Sequence, residues 1–141
     1  MTVFYGVLDP DTGRLDWANA GHPFPLLRRR SGTVEELGAG SLPLGLTLDP
    51  RVSEGTTYLE VGDLLVLYSD GIPEAEGGPD DTPSDFGFDR LHQLVSTSID
   101  AEHAHTAVLR ELDRFVGPRS LRDDVTLMAL SRHPVPPPPP V

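Results

Sequence analysis

The chain has no cysteine, no lysine and no long apolar run. The absence of cysteine excludes disulfide bonds and thiolate chemistry, and leaves the redox compartment unmarked. The absence of lysine makes all 11 basic residues arginine, set against 22 acids for a net charge of −11. That balance carries no electrostatic footprint for nucleic acid, and an anionic membrane would repel it. No stretch approaches the roughly 20 apolar residues of a bilayer span. The start, MTVFYGVLDPDTG, has neither the charged nor the apolar region of a secretory signal, so a cytoplasmic location is the default expectation. Internal repeats are missing as well.

What remains is a chain of 141 residues, 38% of them hydrophobic, which fits one domain with a real core. Its first half reads as β-structure. VFYGVLD and RLDWANAG flank DPDTG, and PLLRRR and TVEEL flank SG, so two hairpins are expected. Two further strands, VSEGTTYLEV and DLLVLYS, are joined by a turn at Gly62. Residues 64–68 are continuously apolar, the pattern of a strand covered on both faces.

Beyond Gly71 the acids, glycines and prolines of EAEGGPDDTPSDFG carry no periodicity and read as a loop. A helix follows, with Phe88, Leu91, Leu94, Val95 and Ile99 on one face. A second starts after Asp100 as N-cap, with Ala104, Ala107, Val108, Leu112, Phe115 and Val116 on one stripe. Gly117 and Pro118 end it, and DDVTLMALSR reads as a last strand. The end, HPVPPPPPV, reads as an extended, disordered proline-rich tail over residues 133–141. Strands, two helices and a closing strand point to an α+β fold with a largely antiparallel sheet.

The chemistry concentrates at two places. Asp70 and Gly71 follow the apolar LLVLY strand, and Asp123 and Asp124 precede the VTLMAL strand. If those strands are antiparallel neighbours, carboxylates about fifty residues apart meet at one sheet edge. Clustered carboxylates persist with a cation or with proton uptake. Mg²⁺ and Mn²⁺ take oxygen ligands, and Mg²⁺ keeps several waters, so one or two carboxylates per ion suffice. A glycine lets a backbone turn sharply and approach an ion closely. Read blandly, SDG is a turn and RDD a strand cap. Among other residues, His103 and His105 flank Ala104 on the second helix and read as surface. Arg28, Arg29 and Arg30, the one basic cluster, read as strand-end solvation, with phosphate recognition as the functional alternative.

In combination, LYSDGIPEA, FGFDRL and LRDDVTLMALSR resemble the C-terminal part of a PPM-type protein phosphatase of the SpoIIE/RsbU-like branch. FYGVLDPDTGRLDWANAGHPFPLLRR and LPLGL resemble the same branch in order and spacing. The resemblance implies a β-sandwich flanked by helices over residues 1–132, with Mn²⁺ or Mg²⁺ at one edge. It implies hydrolysis of phosphoserine or phosphothreonine by metal-activated water, on a regulatory partner of the anti-sigma antagonist type. Carried over by position, Asp70 and Asp123 match metal ligands, with Gly71 the partner of Asp70 and Asp124 an adjacent acid able to replace Asp123. Glu74 stands behind the ligands, and His22 and Asn19 in NAGHP are structural residues or substrate contacts.

The family has an earlier region, with a helix pair and a further aspartate–glycine motif, that this sequence does not contain. The expectations are therefore a domain incomplete at its N-terminus, a partial metal site with weak or no turnover, and self-association through an uncovered sheet face. The alternative function is a binding module that keeps the fold without the chemistry.

Overall fold

Asp9 starts the first turn as the DPDTG signal requires: its Oδ1 accepts the amides of Asp11 (2.9 Å) and Thr12 (3.2 Å). Those donors, the Thr12 amide first, hold the Asp9 carboxyl below its ordinary range. Gly13, at φ 79°, closes the turn in the left-handed region that glycine tolerates. The computed structural model describes residues 1–48, 52–79 and 82–134. Along these run β1 (Val3–Leu8), β2 (Arg14–Ala20), β3 (Leu26–Arg28), β4 (Val34–Glu36), β5 (Ser53–Tyr58) and β6 (Leu64–Tyr68). They are followed by β7 (Glu76–Gly77), β8 (Ser84–Asp85), α1 (Phe88–Thr97), α2 (Ala101–Val116) and β9 (Leu127–Ser131).

The strands form one sheet of order β1-β2-β5, a second of order β4-β3-β6-β9, and a small ribbon of β7 and β8. Every strand pair among them is antiparallel. Successive side chains point to opposite faces of a strand, and β3 and β6 use both. Leu27 and Leu65 pack with Leu15, Leu37 and Leu59 between the two large sheets. Leu26, Leu64, Val66 and Tyr68 face the other way, onto Leu91 and Val95 of α1 and Ala104, Val108, Leu112 and Val116 of α2. The molecule is thus layered sheet, sheet, helices, with β6 in the middle and apolar throughout. Burying each such leucine or valine contributes about 1.5–3 kcal/mol.

Both expected hairpins form. Asp100 caps α2, its side chain accepting the His103 amide at 2.8 Å, and Gly117 ends the helix at φ 62°. β5 and β6 are joined through the turn at Gly62 as expected, and that turn carries the chain from one sheet to the other. Two elements differ from the expectation. The loop after Gly71 holds the β7–β8 ribbon, anchored by the Gly78 amide on the Phe115 carbonyl at 3.3 Å. The predicted α1 face is shorter. Leu91 and Val95 are buried, but Phe88 is 52% exposed and Ile99 71% exposed. Ser98 stops the helix first, turning extended while its Oγ donates to the Leu94 carbonyl at 2.7 Å.

The arginine cluster lies at the start of β6, where Arg28 pairs with Leu64, the opposite end of that strand from Asp70. Arg29 donates to Glu35 (2.8 Å) and to the buried Asp63 (2.9 Å), and the Asp63 carboxyl also accepts the amides of Arg30 and Glu60. Hydrogen bonding to Glu35 first, and to Asp63, raises the Arg29 pKa above its ordinary value. These arginines fasten strand ends together and stand away from the candidate site. His103 and His105 are exposed on α2, as expected. Both helices pack on the second sheet, and the outer face of the first leaves Tyr5, Val7 and Tyr58 at least half exposed. Residues 135–141 of the expected tail lie outside the described residues.

Candidate functional site

β6 and β9 are antiparallel neighbours, with Tyr68 opposite Leu127, so the end of one strand meets the start of the other. Ser69 fastens the junction. Its amide donates to the Thr126 carbonyl (3.0 Å), and its Oγ donates to the Asp124 carbonyl (3.0 Å) while accepting the Thr126 amide (2.9 Å). The chain then makes a tight turn, the Glu74 amide donating to the Asp70 carbonyl at 3.0 Å, with Ile72 fully buried as its anchor. Gly71 fits against the Asp123–Asp124 peptide so closely that a Cβ there would collide with the Asp124 carbonyl oxygen.

Around this junction the sequence-predicted residues divide into two groups. Gly71, Glu74 and Asp123 line a cleft of about 430 Å³, together with Ala75, Glu76, Asp85 and Arg122. Asp70 and Asp124 are exposed but do not line it. Asp123 spends its Oδ1 on the Asp124 amide (2.7 Å), and Asp124 contributes its backbone carbonyl to the junction. The strand ends therefore converge as expected, whereas a cage of three carboxylates does not form. Among the described residues, no group of three or more histidine, aspartate or glutamate side chains gathers closely enough to hold a metal ion. The donors present are all oxygen and solvent-facing, which suits a hard cation that keeps most of its water.

His22 lies near enough to Asp70 to feel its charge. Burial pushes its imidazole below the usual value, and the Asp70 carboxylate pulls in the opposite direction. With Phe24, Glu36, Tyr68 and Phe88, His22 lines a second, smaller cavity of about 270 Å³. Burial, with the Glu36 charge adding to it, pushes the Tyr68 hydroxyl up to about 12. Asn19 reaches neither cavity. It is fully buried at the end of β2, and its side chain accepts the His22 amide (2.9 Å) and donates to the His22 carbonyl (3.1 Å). Asn19 is therefore a clamp that holds the His22 loop, and of the two candidate readings the structural one fits it.

Sequence reasoning missed three contributors. Ser69 was visible in YSDG, but its hydroxyl matters only once β9 is adjacent. Arg122, ion-paired with Glu76, and Asp85 become cleft walls through the turn and the ribbon, which no spacing rule specifies.

This arrangement has relatives. The family model described as Stage II sporulation protein E (SpoIIE) matches residues 1–133. The phosphoserine phosphatase RsbU of Bacillus subtilis is 30% identical over 135 residues, covering 94% of this chain and 39% of that protein. The solved phosphatase domain of SpoIIE from Bacillus subtilis superposes with a TM-score of 0.71 at 21% identity, covering 97% of this chain and 58% of that one. The RsbU and RsbW domains of Rv1364c from Mycobacterium tuberculosis also give 0.71, at 28% identity, over 96% of this chain and 37% of that one. The chain spans 39% of RsbU and 20% of a further relative, Protein IcfG of Synechocystis. A family match along nearly the whole chain, and a fold shared with its solved members, make this chain a member of the SpoIIE family, in the SpoIIE/RsbU-like branch of PPM-type protein phosphatases.

Proposed function

We propose that residues 1–132 act as a metal-dependent phosphoprotein phosphatase domain whose reaction takes place at the β6–β9 junction. The observation that carries this reading is the packing of Gly71 against the Asp123–Asp124 peptide, which sets two acidic segments at one sheet edge. Asp70 and Asp123 are the residues that would hold Mn²⁺ or Mg²⁺, with Asp124 beside them. When bound, the cation supplies Lewis acidity toward phosphoryl oxygens and a water acidified toward neutrality. The chain's own part is to place charge. Glu74 and Asp85 keep the cleft acidic, and the Arg122 guanidinium on its wall suits phosphate oxygens in two-point contact. RsbU and RsbP are both named phosphoserine phosphatases, which supports phosphoserine as the group acted on; the proposed bearer is a regulatory protein of the anti-sigma antagonist type, in the cytoplasm. Among the described residues no helix is long and apolar enough to cross a membrane.

A second reading is a binding module of the same fold without turnover, favoured by the absence of a gathered three-carboxylate group among the described residues. Calorimetric titration with Mn²⁺ tests the shared premise. Asp70→Asn and Asp123→Asn should each weaken binding about tenfold or more, near 1.4 kcal/mol. Equal heats in all three proteins would remove the metal site. Hydrolysis of a phosphoserine peptide in excess Mn²⁺ then separates the readings. A rate no higher than that of the Asp70→Asn/Asp123→Asn double variant leaves the binding module.

A further inference from the structure

The second cavity shares no lining residue with the cleft, and Tyr68, the last residue of β6, brings it next to the turn at Asp70. Its walls are Phe24, Phe88 and the ring of Tyr68, with His22 at the Asp70 side and the Glu36 carboxylate as its one acidic group. Tyr68 is buried, and its position two residues before Asp70 on β6 ties the cavity to the candidate site. Glu36 is half exposed and touches His92 Nε2 at 3.1 Å through one carboxylate oxygen, Oε1. Aromatic faces attract cations through their ring quadrupoles, most strongly where water is thinned, and a carboxylate adds direct charge complementarity. The first turn of α1 carries Asp89, which offsets the positive end of that helix near Phe88. The net charge of −11 adds attraction for a basic segment at longer range.

We propose that this cavity receives an arginine or lysine side chain flanking the phosphoserine of the protein substrate, and so selects among phosphoproteins. The proposal rests on the phosphatase reading above for the identity of the neighbouring group. The bound chain would run from the β6–β9 junction across Asp70 to the cavity, the phosphoryl group on one side and the cationic side chain on the other. Glu36 would take the guanidinium or ammonium head, and Phe24 and Phe88 its methylene stem and flat face.

The test uses peptides bearing a non-hydrolysable phosphonate analogue of phosphoserine, with an arginine scanned along both flanks, and matched peptides lacking the phosphonate. Anisotropy with the full chain in Mn²⁺ reads affinity without turnover. The best arginine peptide should bind about tenfold more tightly than the same peptide with glutamate or norleucine at that position. Glu36→Gln should remove most of that preference, and Phe88→Ala, at an exposed helix start, should weaken it. Asp123→Asn should lower affinity for every phosphonate peptide and leave the arginine-to-glutamate ratio unchanged. Equal binding of arginine and norleucine, a ratio untouched by Glu36→Gln, or no binding of any peptide would each overturn the proposal. An arginine preference that persists with no gain from the phosphonate would instead sink the catalytic reading and keep the cation pocket.

Discussion

Gly71 is not held by its torsion angles, since its φ is not among the positive values that glycines adopt elsewhere in this chain. It is held by space, because an added Cβ has the Asp124 carbonyl in its way. Gly71→Ala should therefore push the Asp123–Asp124 segment off β6, costing about 1–3 kcal/mol in the manner of an overpacked site. Chemical denaturation should show that loss, with weaker Mn²⁺ binding in the same protein. Unchanged stability together with unchanged binding would mean that the junction yields freely. At this scale the sequence was informative where one residue type admits few roles. An aspartate–glycine pair after an apolar strand signals a special backbone, although the cause is close packing against β9. Asn19 was illegible by comparison. Its side chain satisfies backbone groups only three positions on, a local bond that the composition of NAGHP allows but does not specify.

Elements were legible where their ends carry their own chemistry. The turn at Asp9 to Gly13 and the cap at Asp100 fix β1–β2 and the start of α2 by hydrogen bonds inside a few residues. Removing such a bond has a known scale. Asp100→Ala should lower stability by about 1 kcal/mol, and Asp100→Asn by much less, because asparagine still accepts the His103 amide. Thermal melts of both variants read the difference, and equal losses would show that the carboxylate charge matters more than the acceptor. Elements settled by distant partners could not be read the same way. The β7–β8 ribbon owes its place to the backbone of Phe115 in α2. The end of α1 is set by Ser98 turning back onto Leu94 before Ile99 can join the apolar face. The pairing of β5 with β2 and of β6 with β3 and β9 is a choice between sheets, and alternation along a strand is blind to it.

At the scale of the molecule, apolar layering and net charge oppose each other at one surface. Both helices cover the second sheet, and the first presents Tyr5 at 65% and Val7 at 53% exposure beside Tyr58. The same face carries Asp16, which holds Arg14 and the Thr56 hydroxyl, and Glu54 across from Ala18. An apolar strip of this kind favours a second copy, while a net charge of −11 keeps copies apart. The range of that repulsion shrinks from about 30 Å at 0.01 M salt to about 10 Å at 0.1 M, whereas the apolar contribution does not weaken. Association through this face should therefore increase with salt, opposite to what an interface built on ion pairs would show. Sedimentation across that range should find a larger species growing in. Tyr5→Thr/Val7→Thr keeps β-branched residues on β1 and removes the apolar strip, so it should hold the chain at its low-salt mass. Loss of association as salt rises would make charge its cause, and association undiminished in the double variant would place the contact on another surface.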